Sequence, residues 1–323
     1  MIRTRLTELL GCEHPVMLAG MGGVSYADLV VAVSDAGGIG TLGAAPLSLD
    51  GMKAEIAEVR ERTDRPFGVD LLTALPGDME EQVEAIIAGG ASLFVAGLGV
   101  PREVVDLCHR SGVLVANMCG RVRHAIAAVE AGCDLVIAQG TEAGGHTGKV
   151  ATFPLVPQIV DAVGDQVPVV AAGGVFDGRG LAAALMLGAD GIWVGTRFIA
   201  TPEAHVVPGY REALVEGRED DTVITRAYTG KTLRAVRNSY TQYFEENPDE
   251  LQRFPDQIVR SMGDGAMHLG ARPDSEGIDP DKECFAAGQA LGGIDQVVPA
   301  GDLVALFVEE AERELGRVNS LLA

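Results

Sequence analysis

Leu135-Val136-Ile137-Ala138-Gln139-Gly140-Thr141-Glu142-Ala143-Gly144-Gly145-His146-Thr147-Gly148 passes from a run of four apolar residues into a loop holding an amide, a carboxylate, an imidazole and four glycines. A short apolar run bounded by turn residues reads as a buried strand. The loop behind it is badly suited to packing. Its glycines let the backbone reach positive φ and come close to a ligand, and histidine is the side chain that titrates nearest neutrality. A strand delivering such a loop is a unit whose chemistry sits at the strand's C-terminal end.

Outward from this stretch the same unit repeats. Apolar, β-branched runs at 16–19, 39–42, 67–71, 93–96, 114–117, 135–138, 167–171 and 191–194 read as strands. Amphipathic segments at 27–36, 49–62, 79–88, 102–110, 122–131, 155–163 and 179–187 read as helices between them. Eight such units, spaced roughly 20–35 residues apart, predict a TIM (β/α)8 barrel, in which every strand end lies on one catalytic face. Residues 20–23, Asp70, 139–146, Gly173–Gly174 and Gly195–Thr196 therefore converge. A doubly wound dinucleotide fold would need G-x-G-x-x-G after the first strand and a carboxylate after the second. Gly20-Met21-Gly22-Gly23 half fits, but Thr41-Leu42-Gly43-Ala44 supplies no carboxylate.

After Arg197 the pattern changes. The expected organisation is a barrel over 1–198, a mainly helical, substrate-covering insertion over 199–285 with helices at 210–216, 233–244 and 256–262, and a segment 286–323 that returns to the barrel through a helix at 303–315. With 323 residues, 47% of them hydrophobic, the chain can bury a large core. A net charge of -21 and a pI near 4.6 argue against a nucleic-acid partner, which needs clustered Lys and Arg. The five cysteines are scattered, with no C-x-x-C pair or metal-ligand spacing, so reduced thiols and no metal are expected. No apolar run reaches the roughly 18–20 residues of a membrane span, and Met1-Ile2-Arg3-Thr4-Arg5 is followed by no signal-type apolar stretch. A cytoplasmic location, without membrane partners, is the expectation.

Two late glycine loops carry a second signal. Val169-Val170-Ala171-Ala172-Gly173-Gly174 and Val194-Gly195-Thr196-Arg197 end the seventh and eighth strands, where barrels frequently bind phosphate through backbone N–H groups. A sugar-phosphate isomerase would use such a cradle with a base such as Glu142. A third glycine loop, 20–23, together with Asp70 and Gln139, makes a wide, backbone-lined floor that suits flavin mononucleotide better.

Residues 15–22, 65–70, 139–148 and 171–174 through 195–198, with Gly288-Gln289 near the end, resemble the nitronate monooxygenase (2-nitropropane dioxygenase) family and its relatives, the flavin-dependent enoyl-acyl-carrier-protein reductases. The resemblance implies an FMN-binding barrel. It places Met21 and Gly22 beside the flavin ring, with Gly20 among the cofactor-binding residues and Gln139 near the ring, Gly144 and Gly145 along the flavin, Gly173, Gly174, Gly195 and Thr196 at the phosphate, and His146 facing the substrate. Asp70 stands where the family usually has Asn, so an amide that can donate becomes a carboxyl that, when ionised, only accepts.

His146 is read as a general base, a hydrogen-bond donor or a positioning residue, and Glu142 as a second catalytic candidate or an organiser of the loop. His14, His109 and His124 read as structural, His205 and His268 as outer candidates for substrate contact, and Lys149 and Arg197 as charges available to an acidic substrate or cofactor. The expected activity is oxidative denitrification of alkyl nitronates with O2. The alternatives are an FMN reductase of enoyl thioesters or quinones driven by NADH or NADPH, and a non-catalytic flavin-binding protein. A small-molecule partner is expected, and association into a homodimer is left open.

Overall fold

Both faces of every strand in the central sheet are buried, which is why the strands read as continuous apolar runs and not as alternating ones. The computed structural model describes residues 2–72, 79–97 and 99–322, so the outermost residues of the expected segments 1–198 and 286–323 lie outside it. Strands β1 (Val16–Leu18), β2 (Gly40–Gly43), β3 (Phe67–Leu71), β4 (Leu93–Ala96), β5 (Leu114–Cys119) and β6 (Leu135–Gln139) are followed by the two-residue β7 (Gly145–His146) and then by β8 (Val169–Ala172) and β9 (Gly191–Val194). All of these except β7 form one parallel sheet in the order β1-β9-β8-β6-β5-β4-β3-β2. A parallel bridge between Met17 and Ile39 joins its ends, with Leu18 N–H donating to Ile39 O at 2.8 Å and Ile39 N–H to Val16 O at 3.0 Å. The chain is an eight-stranded α/β barrel.

Alternation divides the strand residues between two cores. Met17, Val95, Ala116, Ile137, Val170 and Trp193 point into the barrel, and helix Arg5–Leu10 closes its lower end by inserting Leu6 and Leu10 among them. Leu18, Phe94, Val115, Val136, Ala171 and Val194 point outward beneath the surrounding helices. With one end plugged, the open space lies at the strands' C-terminal ends. Strand β8 begins two residues later than expected, after Pro168, which has no N–H to give to a ladder.

The last barrel helix comes from beyond the insertion. Helix Ala300–Asn319 buries Leu303, Val304, Phe307 and Val308. Each fully buried side chain of this kind contributes roughly 1.5–3 kcal/mol. The helix packs against Gly178–Met186 closely enough that a Cβ on Gly178 would lie 2.5 Å from Phe307 O and 2.6 Å from Ala311 N.

The insertion departs from expectation in two elements, one helix that is split and one strand where none is expected. The helix expected over 233–244 is split into strand β11 (Leu233–Val236) and helix Ser239–Glu246, which opens on an Asn238 capping box. Strand β10 (Thr222–Thr225) pairs antiparallel with β11, and β11 pairs with β7. Helices Tyr210–Val215 and Asp256–Gly263 stand where the pattern placed them. Tyr228, Leu233, Ala235, Tyr240 and Phe244 form the insertion's own small core. Leu233 was read on a helical period, whereas its face is set by the partner strand Gly145–His146, nearly ninety positions earlier in the chain.

Candidate active site

The strand ends surround a cavity of about 650 Å³ roofed by the insertion. Gly20, Met21, Gly22, Asp70, Gln139, Glu142, Gly144, Gly145, His146, Gly173, Gly174, Gly195 and Thr196 all line it. The fold thus brings these thirteen residues together, but not Lys149 or Arg197, which do not line the cavity.

The floor is made of backbone. Gly173 and Gly174 have φ of +105° and +77°, values that side-chain-bearing residues rarely adopt. Among the described residues, the N–H groups of Gly173, Gly174 and Gly195 find no acceptor within the protein. Three adjacent unsatisfied donors are what a phosphate group needs. The Thr196 hydroxyl accepts from Gly288 N–H at 2.9 Å, which leaves its own proton to donate. Opposite the cradle, Asp70 is buried and has no hydrogen-bond or ion-pair partner among the described residues; burial alone pushes its carboxyl up to about 8. Free backbone donors at one end and an unpartnered carboxyl at the other fit a phosphate-tailed ligand with a polar ring, as a flavin nucleotide is.

The wall is made by side chains. His146 sits in β7 with Nε2 3.0 Å from Thr229 Oγ1. That hydroxyl lies 3.2 Å from Lys231 O and 3.3 Å from Lys231 N. When it donates to Lys231 O it accepts from Nε2–H, and Nδ1 then carries the lone pair. Burial, and next the nearby Lys231 ammonium, hold the imidazole below its ordinary pKa, so it is neutral at pH 7 and able to accept a proton. Arg234 secures the wall: its guanidinium donates to Thr141 O at 3.0 Å and to Thr222 Oγ1 at 3.1 Å.

Glu142 has its carboxylate committed elsewhere. It accepts from Thr152 N–H at 2.9 and 3.1 Å and lies 3.0 Å from Thr152 Oγ1. Thr152 opens helix Thr152–Val163, whose N-terminus has no side-chain cap of its own. The carboxylate therefore does the capping, the loop-organising one of its two expected roles. Arg197 is also not a cavity charge, since its buried guanidinium donates to Gln296 O at 3.2 Å. His205 and His268 do line the cavity, the latter with Nδ1 2.6 Å from Glu283 Oε2.

Sequence reasoning missed Arg121, His124, Thr229, Lys231, Arg234 and Glu283. The sequence pattern reads His124 as structural, yet it and Arg121 line the cavity. Local spacing offered one usable hint: Arg121 and Lys149 each follow a glycine, with Arg123 close by, in an otherwise acidic chain. The others reach the site only through β11 and the roof.

Among the described residues no helix is long and apolar enough to cross a membrane, and no group of three or more His, Cys, Asp or Glu could hold a metal. The chain is 41% identical over 245 residues, 76% of its length and 69% of the relative's, to the (3aS,4S,5R,7aS)-5-hydroxy-7a-methyl-1-oxo-octahydro-1H-indene-4-carboxyl-CoA dehydrogenase of Mycobacterium tuberculosis. It is 33% identical over 317 residues to a probable nitronate monooxygenase of Staphylococcus saprophyticus, covering 83% of this chain and 89% of that one. A structure of FabK from Thermotoga maritima superposes with a TM-score of 0.90 at 33% identity, over 99% of this chain and 100% of that one. A family model described as NMO, nitronate monooxygenase, matches residues 3–310. With that barrel, that glycine floor and a match over nearly its whole length, the chain belongs to the nitronate monooxygenase family of oxidoreductases.

Proposed function

We propose that the protein is an FMN-dependent oxidoreductase acting on an acyl thioester whose carrier bears phosphate, as coenzyme A and acyl carrier protein do. The observation that carries this reading is the charge at the cavity mouth. Arg121 and His124 line it, Arg123 is close enough for its charge to act on His124, and Lys149 follows Gly148, which packs on Gly120. None of Arg121, Arg123 and Lys149 has an acidic partner among the described residues, and the first turn of helix Val122–Ala131 holds no acid. Unpaired cations borne by two loops that meet at Gly120 and Gly148, in a chain carrying -21, are suited to phosphate. The indene-carboxyl-CoA dehydrogenase and FabK, an enoyl-ACP reductase, support the same substrate class.

When bound, FMN supplies the electron or hydride transfer. The free N–H groups of Gly173, Gly174 and Gly195 and the Thr196 hydroxyl would hold its phosphate, and 20–22, Gly144 and Gly145 would leave room for its ring. His146, held by Thr229, accepts or returns a proton at the acyl group. The insertion excludes water. NADH or NADPH serves as reductant where the reaction runs towards the reduced acyl group.

A second reading, oxidative denitrification of alkyl nitronates with O2, has its own supporting observation. Lys231 lines the cavity, and its ammonium, held over the Phe254 ring at 3.9 Å from the centroid, is near enough to act on His146 and to favour a small anion there. Anaerobic stopped-flow separates the two. Bleaching of the flavin by NADH or NADPH, and reoxidation by an enoyl-CoA, supports the thioester reading. No bleaching, with O2 consumed on adding a nitronate, overturns it in favour of the second. A purified protein unable to take up FMN sinks both.

A further inference from the structure

Asp70 is one residue from the end of β3, in register with Gly43 of β2 on one side and Val95 of β4 on the other. Its side chain occupies a seat that exists because Gly20 has none: a Cβ on Gly20 would collide with Asp70 Cβ and lie 2.7 Å from Oδ2. The carboxyl lines the cavity floor, is only 8% exposed, and makes no hydrogen bond or ion pair with any described residue. The segments against it, Gly20–Met21 from the first loop, Gly43 from β2 and Val95 from β4, bring no titratable or charged group. Arg121, His124, Glu142 and His146 share the cavity, but burial is the sole influence on the Asp70 proton.

An ionised carboxylate here would be desolvated and uncompensated, a costly state that proteins relieve by keeping the proton. Protonated, the same group is a donor with nothing in the protein to donate to. The carboxyl opens onto the cavity and has no partner among the described residues, so the partner belongs to whatever occupies the floor. A flavin ring presents carbonyl oxygens and ring nitrogens along its edge as acceptors.

We propose that Asp70 keeps its proton in the working protein and donates it to an acceptor atom on the edge of the bound flavin ring, so that retention of the cofactor depends on that proton. The inference rests on the FMN reading above. Burial places the titration of the ligand-free protein at about 8. The sign follows from the direction: the donor is intact below that pH, and each further unit of alkalinity leaves about tenfold less protein in the binding-competent form.

FMN affinity, read from recovery of free-flavin fluorescence, is to be measured at constant ionic strength from pH 6 to pH 9.5 for the wild type, Asp70→Asn and Asp70→Leu. FMN uptake by the wild type near pH 6.5 tests the cofactor reading by itself. The pH course tests the proposal. The expected result is a wild-type affinity that is flat at low pH and falls above about 8, an Asp70→Asn affinity flat throughout, because an amide donates at every pH, and a uniformly weaker Asp70→Leu. Thermal melts of the three proteins separate weak binding from failed folding. A wild-type affinity flat to pH 9.5, or an Asp70→Asn protein that declines in parallel with it, overturns the proposal while leaving the FMN reading intact. Infrared difference spectra of the FMN-free wild type and Asp70→Asn give a check independent of the cofactor. A protonated-carboxyl C=O band present at neutral pH, absent in the variant and lost with alkali, supports the proposal, and its absence at neutral pH overturns it.

Discussion

The floor and the wall of the cavity are built in opposite ways. The floor is a consequence of the barrel: glycine loops at adjacent strand ends, with open N–H groups and little side chain, fixed by parallel ladders behind them. The wall is His146 on a two-residue strand, paired with β11 of the insertion and secured by Arg234 and Thr229 from the same hairpin region. Backbone donors on a rigid sheet suit a resident cofactor of fixed shape. A wall assembled from a separate small core can vary its substrate while the floor stays the same. Two relatives of different activity, an indene-carboxyl-CoA dehydrogenase and a probable nitronate monooxygenase, are consistent with that division.

If the division holds, damage to the wall should spare the cofactor. His146→Ala should keep FMN, seen by its visible absorbance, and lower turnover by roughly 10²- to 10⁴-fold, the usual contribution of a positioned acid or base. Loss of flavin with turnover per bound flavin unchanged would break the comparison.

Next in size is Arg234→Met, which removes two charged hydrogen bonds of roughly 1.5–3 kcal/mol each at most. A fall in the melting temperature, with proteolytic nicking beginning in the insertion, is expected; cleavage beginning in the barrel would show that the roof is not the separately held part.

Gly144→Ala probes the seam, because its Cβ would stand 2.7 Å from Ala287 C and 2.8 Å from Gly288 N. Overpacking of this kind costs roughly 1–3 kcal/mol, measurable by denaturant titration. An unchanged midpoint would mean that the seam yields freely.

The smallest effect concerns pH. If neutral His146 acts as the proposed base, kcat/KM should fall as the imidazole protonates, on an acid limb lying below the ordinary histidine pKa. Lys231→Met removes the charge that, after burial, depresses that pKa. The limb should move to higher pH, and a move in the other direction would disconnect Lys231 from His146.

How legible each part was follows from the distance over which its cause acts. The strand pattern and the glycine loops are local, and β3, β4 and β9 begin and end where the apolar runs do. Convergence of the glycines at 20–22, 173–174 and 195 followed from the barrel alone, because parallel strands put all their C-terminal ends on one face. Leu233–Val236 was misread because β propensity reports the fit to a partner strand, and that partner is Gly145–His146. From its neighbours Glu142 reads equally as a base or as an organiser; only the position of Thr152, ten residues on, commits its carboxylate.

The sequence by itself determined the barrel, its open end and the glycine floor, since strand period, helix period and backbone freedom are properties of adjacent residues. Only the tertiary structure decided which side chains face the cavity and which of them are shielded from water. Whether Asp70 finds a partner, whether His146 is shielded from water and whether Arg121 and His124 reach the mouth depend on neighbours brought from elsewhere in the chain. Desolvation and charge act through space, whatever the separation along the sequence.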